Sequence, residues 1–180
     1  TPVAYWDAGD VVFQAHLAPL WDLVRAHPDV LLAARESFGI ADNPMATAWV
    51  LSITDARARQ FAFDRFSRSP YLNSGFAAGT ARTLLRYFRE ADRLLHSHHL
   101  RGSTDWGDQT SLNLYCHTDP SRWRELPRGW NYALCRLGPG HVRFSSAGRW
   151  VSADGTPIYV AHGNAMMLPQ VELSYLRDYL

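Results

Sequence analysis

The chain has 180 residues, 47% of them hydrophobic and 13% aromatic, enough for one compact domain with a substantial core and too apolar for a disordered segment. Its formal net charge is +1, so no bulk field draws it to nucleic acid or to a membrane surface. No apolar run is long enough to span a bilayer.

All 18 basic residues are Arg. That reads as the codon usage of a GC-rich bacterial genome, with selection for bidentate anion binding as the alternative. Cys116 and Cys135 lack metal-type spacing and read as reduced packing residues. The chain opens on Thr1 and enters at once a strand that leads to an acidic cluster. The expectation is that a preceding stretch is missing, with any targeting signal, and that the protein is cytoplasmic in a bacterium.

In chain order, residues 3–6 read as a short buried strand, and Val11-Val12-Phe13 continue extended after an acidic turn. Leu17, Leu20, Leu23 and Val24 recur at helical spacing over 17–26, and His27-Pro28-Asp29 stops that helix. Residues 30–34 read as a second strand, and 46–65 as one helical region. "YLNSGFAAG", 71–79, reads as a polar Asn-Ser-Gly corner ahead of a tightly packed run of small residues. The clearest helix covers 80–96, with Thr80 as N-cap and Leu84, Phe88, Ala91 and Leu95 as its apolar stripe. Asp108 starts a short helix over 108–116. Turns and short strands are expected across 118–156, a last buried strand at 157–162 and a terminal helix over 171–180. Strands alternating with helices predict an α/β sandwich in one domain, 1–180.

Two stretches carry chemistry. Asp7 and Asp10 flank Ala8-Gly9 at the end of an apolar strand, the sheet edge where ligands bind in open α/β folds. Two carboxylates converging on one point repel unless a cation sits between them. The bland alternative is a turn cap. "YVAHGNA" places His162 just after a strand, before Gly163 and Asn164. With His in the set, Mn²⁺ is favoured over Mg²⁺. A lone His in such a place is more often a hydrogen-bonded structural residue. His96, His98 and His99 sit at a helix end and read as a solvated C-terminal cap.

"WDAGDVVF", "YLNSGFAAG", "WGDQTSLNLY" and "VAHGNA", in this order, resemble the glycosyltransferase domain of the procollagen lysyl hydroxylase and collagen glucosyltransferase family and its bacterial relatives. The resemblance spans residues 3 to about 165. It implies a GT-A-like (nucleotide-diphospho-sugar transferase) sandwich lacking its N-terminal nucleoside-binding half. It also implies a nucleoside-diphosphate sugar donor, Mn²⁺ (or Mg²⁺) and an acceptor hydroxyl of unknown identity. Carried over, Asp7, Asp10 and His162 are the metal ligands. Asn73, Ser74 and Gly75 line the donor-sugar pocket, with Gly163 and Asn164 beside them. Where the family has an acidic pair before Gln, Gly107 replaces the first member and Asp108 remains as the catalytic candidate. The family's basic residue after His-Gly-Asn is missing from "AMMLPQ", and Arg177 lies too far along to replace it.

The implied reaction breaks the bond between the anomeric carbon and a phosphate oxygen, and a divalent cation offsets the charge on the leaving diphosphate. Asp108 would bind a sugar hydroxyl or act as base toward the acceptor; the alternative is a plain N-cap. Of Trp106, Trp123, Trp130 and Tyr132, at most one is expected to face a sugar ring, the others being core. Three rival readings are a non-catalytic sugar-binding domain, a two-metal phosphoesterase and a serine hydrolase. The second needs more His or Asp ligands than are found, and the third fails because Asn-Ser-Gly is not a G-x-S-x-G elbow.

Overall fold

A nine-residue strand, β4 (Leu72–Thr80), runs through the middle of the molecule and is buried along all but its last residue. The chain is described from a computed structural model that covers residues 1–8, 11–134, 141–145 and 149–163. β4 lies between β1 (Pro2–Trp6) and β3 (Leu31–Arg35), antiparallel to both, and β5 (Trp123–Glu125) adds in parallel to β3. The expected strands at 3–6 and 30–34 are therefore neighbours of the stretch that reads as a corner in sequence.

The two faces of this sheet are covered by different helices. α1 (Ala18–Ala26) buries Leu20 and Val24 against Phe76, Ala78 and Leu32. On the other face, α4 (Ala81–Leu95) and α5 (Asp108–Thr118) pack Leu84, Tyr87, Leu112 and Tyr115 against Ala33 and Ala77. The small side chains of β4 let these helices approach closely, as a doubly covered strand requires. α2 (Pro44–Leu51) and α3 (Ala56–Phe66) close the core around Phe66, Tyr71 and Leu114.

The Asn-Ser-Gly stretch is not a turn. It is a bulge inside β4: Ala33 pairs with Ala77, but Arg35 pairs with Leu72. Extra residues on one strand leave ladder groups unpaired, and buried backbone polar groups need partners. Helix α5 supplies them. Asn113 accepts from Leu72 N (2.8 Å) and donates to Leu72 O (2.9 Å), while Gln109 Oε1 accepts from Ser74 N (3.2 Å). Asn73 closes on its own bulge by accepting from Gly75 N (2.9 Å). This explains why α5, with its polar residues, is buried from Gln109 to His117.

Three other expectations shift. The helical region at 46–65 is two helices. Asn43 caps α2 by accepting from Ala46 N, and Asp55 caps α3 by accepting from Ala58 N. Between them Thr54 N donates to Arg101 O (2.8 Å), which takes the backbone out of the helix. α4 has its expected Thr80 cap, with Thr83 N donating to Thr80 Oγ1 (3.3 Å). Its buried residues, however, are Thr83, Leu84, Tyr87 and Leu94, and Phe88 and Leu95 are exposed. Tyr87 faces Tyr115 of α5 at 5.3 Å, so packing against α5 decides which side is inward. The last strand is shorter than expected.

A second, smaller sheet joins β2 (Val11–Phe13), β6 (Tyr132–Ala133) and that last strand, β9 (Val160–His162), which lies in the middle. β7 (Val142–Phe144) and β8 (Trp150–Ser152) form a hairpin. Asp10, Cys135, Asn164, Arg177 and the expected helix over 171–180 lie outside the described residues.

Candidate functional site

The end of β1, the bulge of β4, the start of α5 and the end of β9 meet around a cavity of about 280 Å³. Asp7 enters directly after β1, and its N–H donates to Gly75 O (3.0 Å), which fixes it to the bulge. His162 ends β9, where it pairs with Val11 on one side and Ala133 on the other, and it is 1% exposed. Its Nε2 lies 3.4 Å from Asp7 Oδ2. Two residues from opposite ends of the described chain thus reach one point.

Gly75 explains why there is room. A Cβ on it would stand 2.3 Å from His162 Cε1, 2.6 Å from Asp7 Oδ2 and 2.9 Å from Asn73 Oδ1. No side chain fits there; only glycine lets the strand pass behind the Asp–His pair.

Asn73 and Ser74 also line the cavity. Asn73 is 2% exposed, and its amide is engaged on both ends. Nδ2 donates to Glu36 Oε1 (2.7 Å), and Oδ1 accepts from Asn131 Nδ2 (2.7 Å) as well as from Gly75 N. Glu36 also accepts from Gln109 Nε2 (3.2 Å), so one carboxylate ties the bulge to α5. Gly163 is buried beside His162.

Two carboxylates stand at the head of α5, and they do different work. Asp105, 8% exposed, accepts four hydrogen bonds. Oδ1 takes Ser103 Oγ (2.6 Å) and Gly107 N (2.9 Å); Oδ2 takes Thr110 N (2.7 Å) and Thr110 Oγ1 (2.5 Å). Asp105 therefore satisfies the helix start from three residues before it. Asp108, in the first turn, is released from the capping role that sequence left open for it, and it lines the cavity. Desolvation pushes its carboxyl above the ordinary range; a Ser74 hydrogen bond pulls down, and the charges of Asp7 and Asp105 push up.

Asp105, Gln109, Glu36 and the cavity-lining Trp49 and Thr104 escaped the sequence reading. The carboxylate missing at 107 has a counterpart at 105, two residues upstream, a spacing no adjacent-pair motif would find. Among the aromatic candidates, Trp130 and Tyr132 are core, 3% and 2% exposed, and Trp123 packs edge-on against His117. Trp106 differs: it is 84% exposed and holds φ +61°, between the cavity-lining pairs Thr104-Asp105 and Asp108-Gln109.

Among the described residues, no group of three or more His, Cys, Asp and Glu side chains is arranged to hold a metal ion. The Asp7–His162 pair nevertheless suits two positions of one ion. Adjacent ligands of a six-coordinate ion at about 2.1 Å stand about 3 Å apart, close to the observed separation. An oxygen with an imidazole nitrogen is a donor set for Mn²⁺, and the missing side chain of Gly75 lets both residues stand this close to the strand. Also among the described residues, no helix is long and apolar enough to cross a membrane.

No protein-family model matches the chain, and no curated protein matches it in sequence. Solved structures do. Apo mouse xyloside xylosyltransferase 1 matches at TM-score 0.55 and 19% identity, over 92% of this chain and 59% of that one. The galactosyltransferase LgtC, in complex with donor and acceptor sugar analogues, matches at TM-score 0.56 and 17% identity, over 98% of this chain and 59% of that one. The chain has the mixed α/β fold of GT-A glycosyltransferases and spans about three-fifths of the length of both.

Proposed function

We propose that the chain belongs to a metal-dependent glycosyltransferase that moves a sugar from a nucleoside-diphosphate sugar to an acceptor hydroxyl. The observation that carries this reading is the Asp7–His162 pair at 3.4 Å over a strand that only Gly75 can thread. The fold supports it at the coarse level. The four ordered motifs narrow it toward the lysyl hydroxylase and collagen glucosyltransferase family and its bacterial relatives.

Each residue has a distinct part. Asp7 and His162 would hold Mn²⁺ or Mg²⁺, with Asp10 as the further ligand. Bound there, the cation acts as a Lewis acid toward the diphosphate. Gly75 leaves room for Asp7 and His162 to meet against the strand. Ser74 and the second N–H of the Asn73 amide, the one not given to Glu36, would offer hydrogen bonds to ring hydroxyls, with Gly163 and Asn164 as further donor-sugar residues. Asn73 also positions Gly75, since its amide holds the bulge. Asp108 faces the same cavity free of capping duty and with a raised affinity for protons. It would take the acceptor proton or hold a donor hydroxyl.

The test is donor hydrolysis and transfer by the protein over a panel of nucleotide-sugars, with Mn²⁺, with Mg²⁺ and after chelation. Turnover that needs the cation is the expected result. Turnover indifferent to chelation would discard the metal assignment. Donor binding without any turnover would place the chain among non-catalytic sugar-binding domains.

A further inference from the structure

The outer face of α4 is a strongly basic surface that the candidate site does not use. Arg82, Arg86, Arg89 and Arg93 follow one another at helical spacing and line a single groove of about 640 Å³, joined there by Arg122. Five Arg face one acidic lining residue, Glu90, on a chain whose net charge is only +1, so the rest of the molecule is net acidic. The near-neutral total that argued against a surface field conceals a segregated one. No residue is shared between this groove and the cavity at Asp7 and His162.

The five guanidinium groups are not equivalent. Arg93 is held by Glu90 through two hydrogen bonds (2.9 and 2.6 Å), and Arg122 by Asp119 (2.9 Å). Arg86 donates to Tyr115 Oη (3.1 Å) and to Asp29 O (2.7 Å) and makes no ion pair among the described residues. Arg82 and Arg89 have no hydrogen bond or ion pair among the described residues. Asp92 is the other acidic group on the exposed part of the helix, and it faces His96 (3.5 Å). Three cationic groups along one helix thus have no ion-pair partner among the described residues.

One large apolar side chain stands among them. Leu85, 50% exposed, lines the same groove, whereas Phe88 packs toward Tyr5 of β1 and Leu95 toward Gly107. A soluble polyanion would engage the guanidinium groups and leave Leu85 in water. A lipid surface takes both, with Arg heads at the phosphates and Leu85 at the acyl boundary.

We propose that the outer face of α4 docks on an anionic lipid bilayer, with Arg82, Arg86 and Arg89 meeting lipid phosphates and Leu85 entering the interface. A cluster of this size on one helix reads as a binder of anionic lipid, and its attraction falls off within a Debye length. The inference is independent of the reaction at the other cavity.

Flotation of the protein with phosphatidylcholine vesicles, with and without about 30% phosphatidylglycerol, tests it. Binding only to the anionic vesicles, released in roughly 0.5 M salt, is expected. The double variant Arg82→Ala/Arg89→Ala, which breaks no described hydrogen bond, should keep the wild-type melting temperature and lose about tenfold or more in vesicle partitioning. Leu85→Ser should weaken binding while leaving its salt dependence in place. Equal binding to both vesicle types, or undiminished binding by the double variant, would overturn the proposal. So would binding of tripolyphosphate at the Arg groove with no vesicle binding.

Discussion

His162 Nε2 lies 3.4 Å from Asp7 Oδ2, and the space that permits this is the missing side chain of Gly75. Gly75→Ala places a methyl carbon 2.3 Å from the imidazole, on a buried strand whose neighbours cannot move far. The variant is expected to cost about 1–3 kcal/mol in denaturant unfolding. It should also lose Mn²⁺ affinity by titration calorimetry, because the pair must separate to admit the methyl group. Wild-type Mn²⁺ affinity in a folded Gly75→Ala protein would show that the pair is not where the cation sits.

The two carboxylates at the head of α5 predict opposite outcomes. Asp105 accepts four hydrogen bonds within the fold, so Asp105→Asn leaves buried donors unsatisfied and should cost about 1–3 kcal/mol of stability. Asp108 lines the cavity and caps nothing. Asp108→Asn should leave stability within about 0.5 kcal/mol and lower turnover by roughly 100-fold or more. Thermal melts and single-turnover transfer by the two variants separate the roles; a reversal of the pattern would exchange them.

How much of this is written locally decides what the sequence reveals. The Asp7 turn and the His162 strand end are legible because each follows an apolar run, and β1 and β9 form where those runs stand. The meaning of Asn73-Ser74-Gly75 is not, because the groups that make a buried bulge tolerable, Gln109 and Asn113, arrive from a helix far along the chain. Polar residues at a corner and polar residues in a satisfied bulge look alike until their partners are known. The stripe of α4 fails for a related reason. Leu84 is on both the expected and the observed face, but Tyr87 and Leu94, by packing on α5 and the core, turn Phe88 and Leu95 outward. Asp105 is hidden by distance of another kind: it reaches Thr110, five residues on, beyond the usual cap spacing.

Stability should fall as the medium becomes acidic, through one buried and one partly buried histidine. Burial holds the His117 imidazole below its ordinary 6.5; its hydrogen bond to Pro70 O (2.9 Å) opposes this and the charge of Arg65 adds to it. His99 is lowered too, by burial and then by His98 and Arg93. The unfolded chain therefore binds protons at a higher pH than the folded one. The stability these residues permit is present in full above about 6.5 and is lost as pH drops below it, toward the folded values. Denaturant unfolding at about pH 7.5 and about pH 5.5 measures the slope. His117→Gln should flatten it whatever its effect at neutral pH; an unchanged slope would assign the loss elsewhere.

Trp106 and Gly107 are successive left-handed residues, φ +61° and +82°. Glycine adopts this without cost, and a Cβ at 107 would strike Leu95 Cδ1 at 2.6 Å. Tryptophan does not; a left-handed bulky residue costs roughly 1 kcal/mol. The strain is held in place by Asp105, which bonds Gly107 N on one side and Ser103 Oγ on the other. Nothing in the core compensates, because the indole is 84% exposed. A strained, solvent-facing aromatic between cavity-lining residues fits a platform for the acceptor's ring better than a packing residue. Trp106→Asn should relieve the backbone and raise stability by about 0.5–1 kcal/mol. It should also raise the acceptor KM several-fold, with donor hydrolysis unchanged. A variant that is stabilised yet keeps the wild-type acceptor KM would make the strain incidental to catalysis. One that loses donor hydrolysis as well would move Trp106 to the donor side of the cavity.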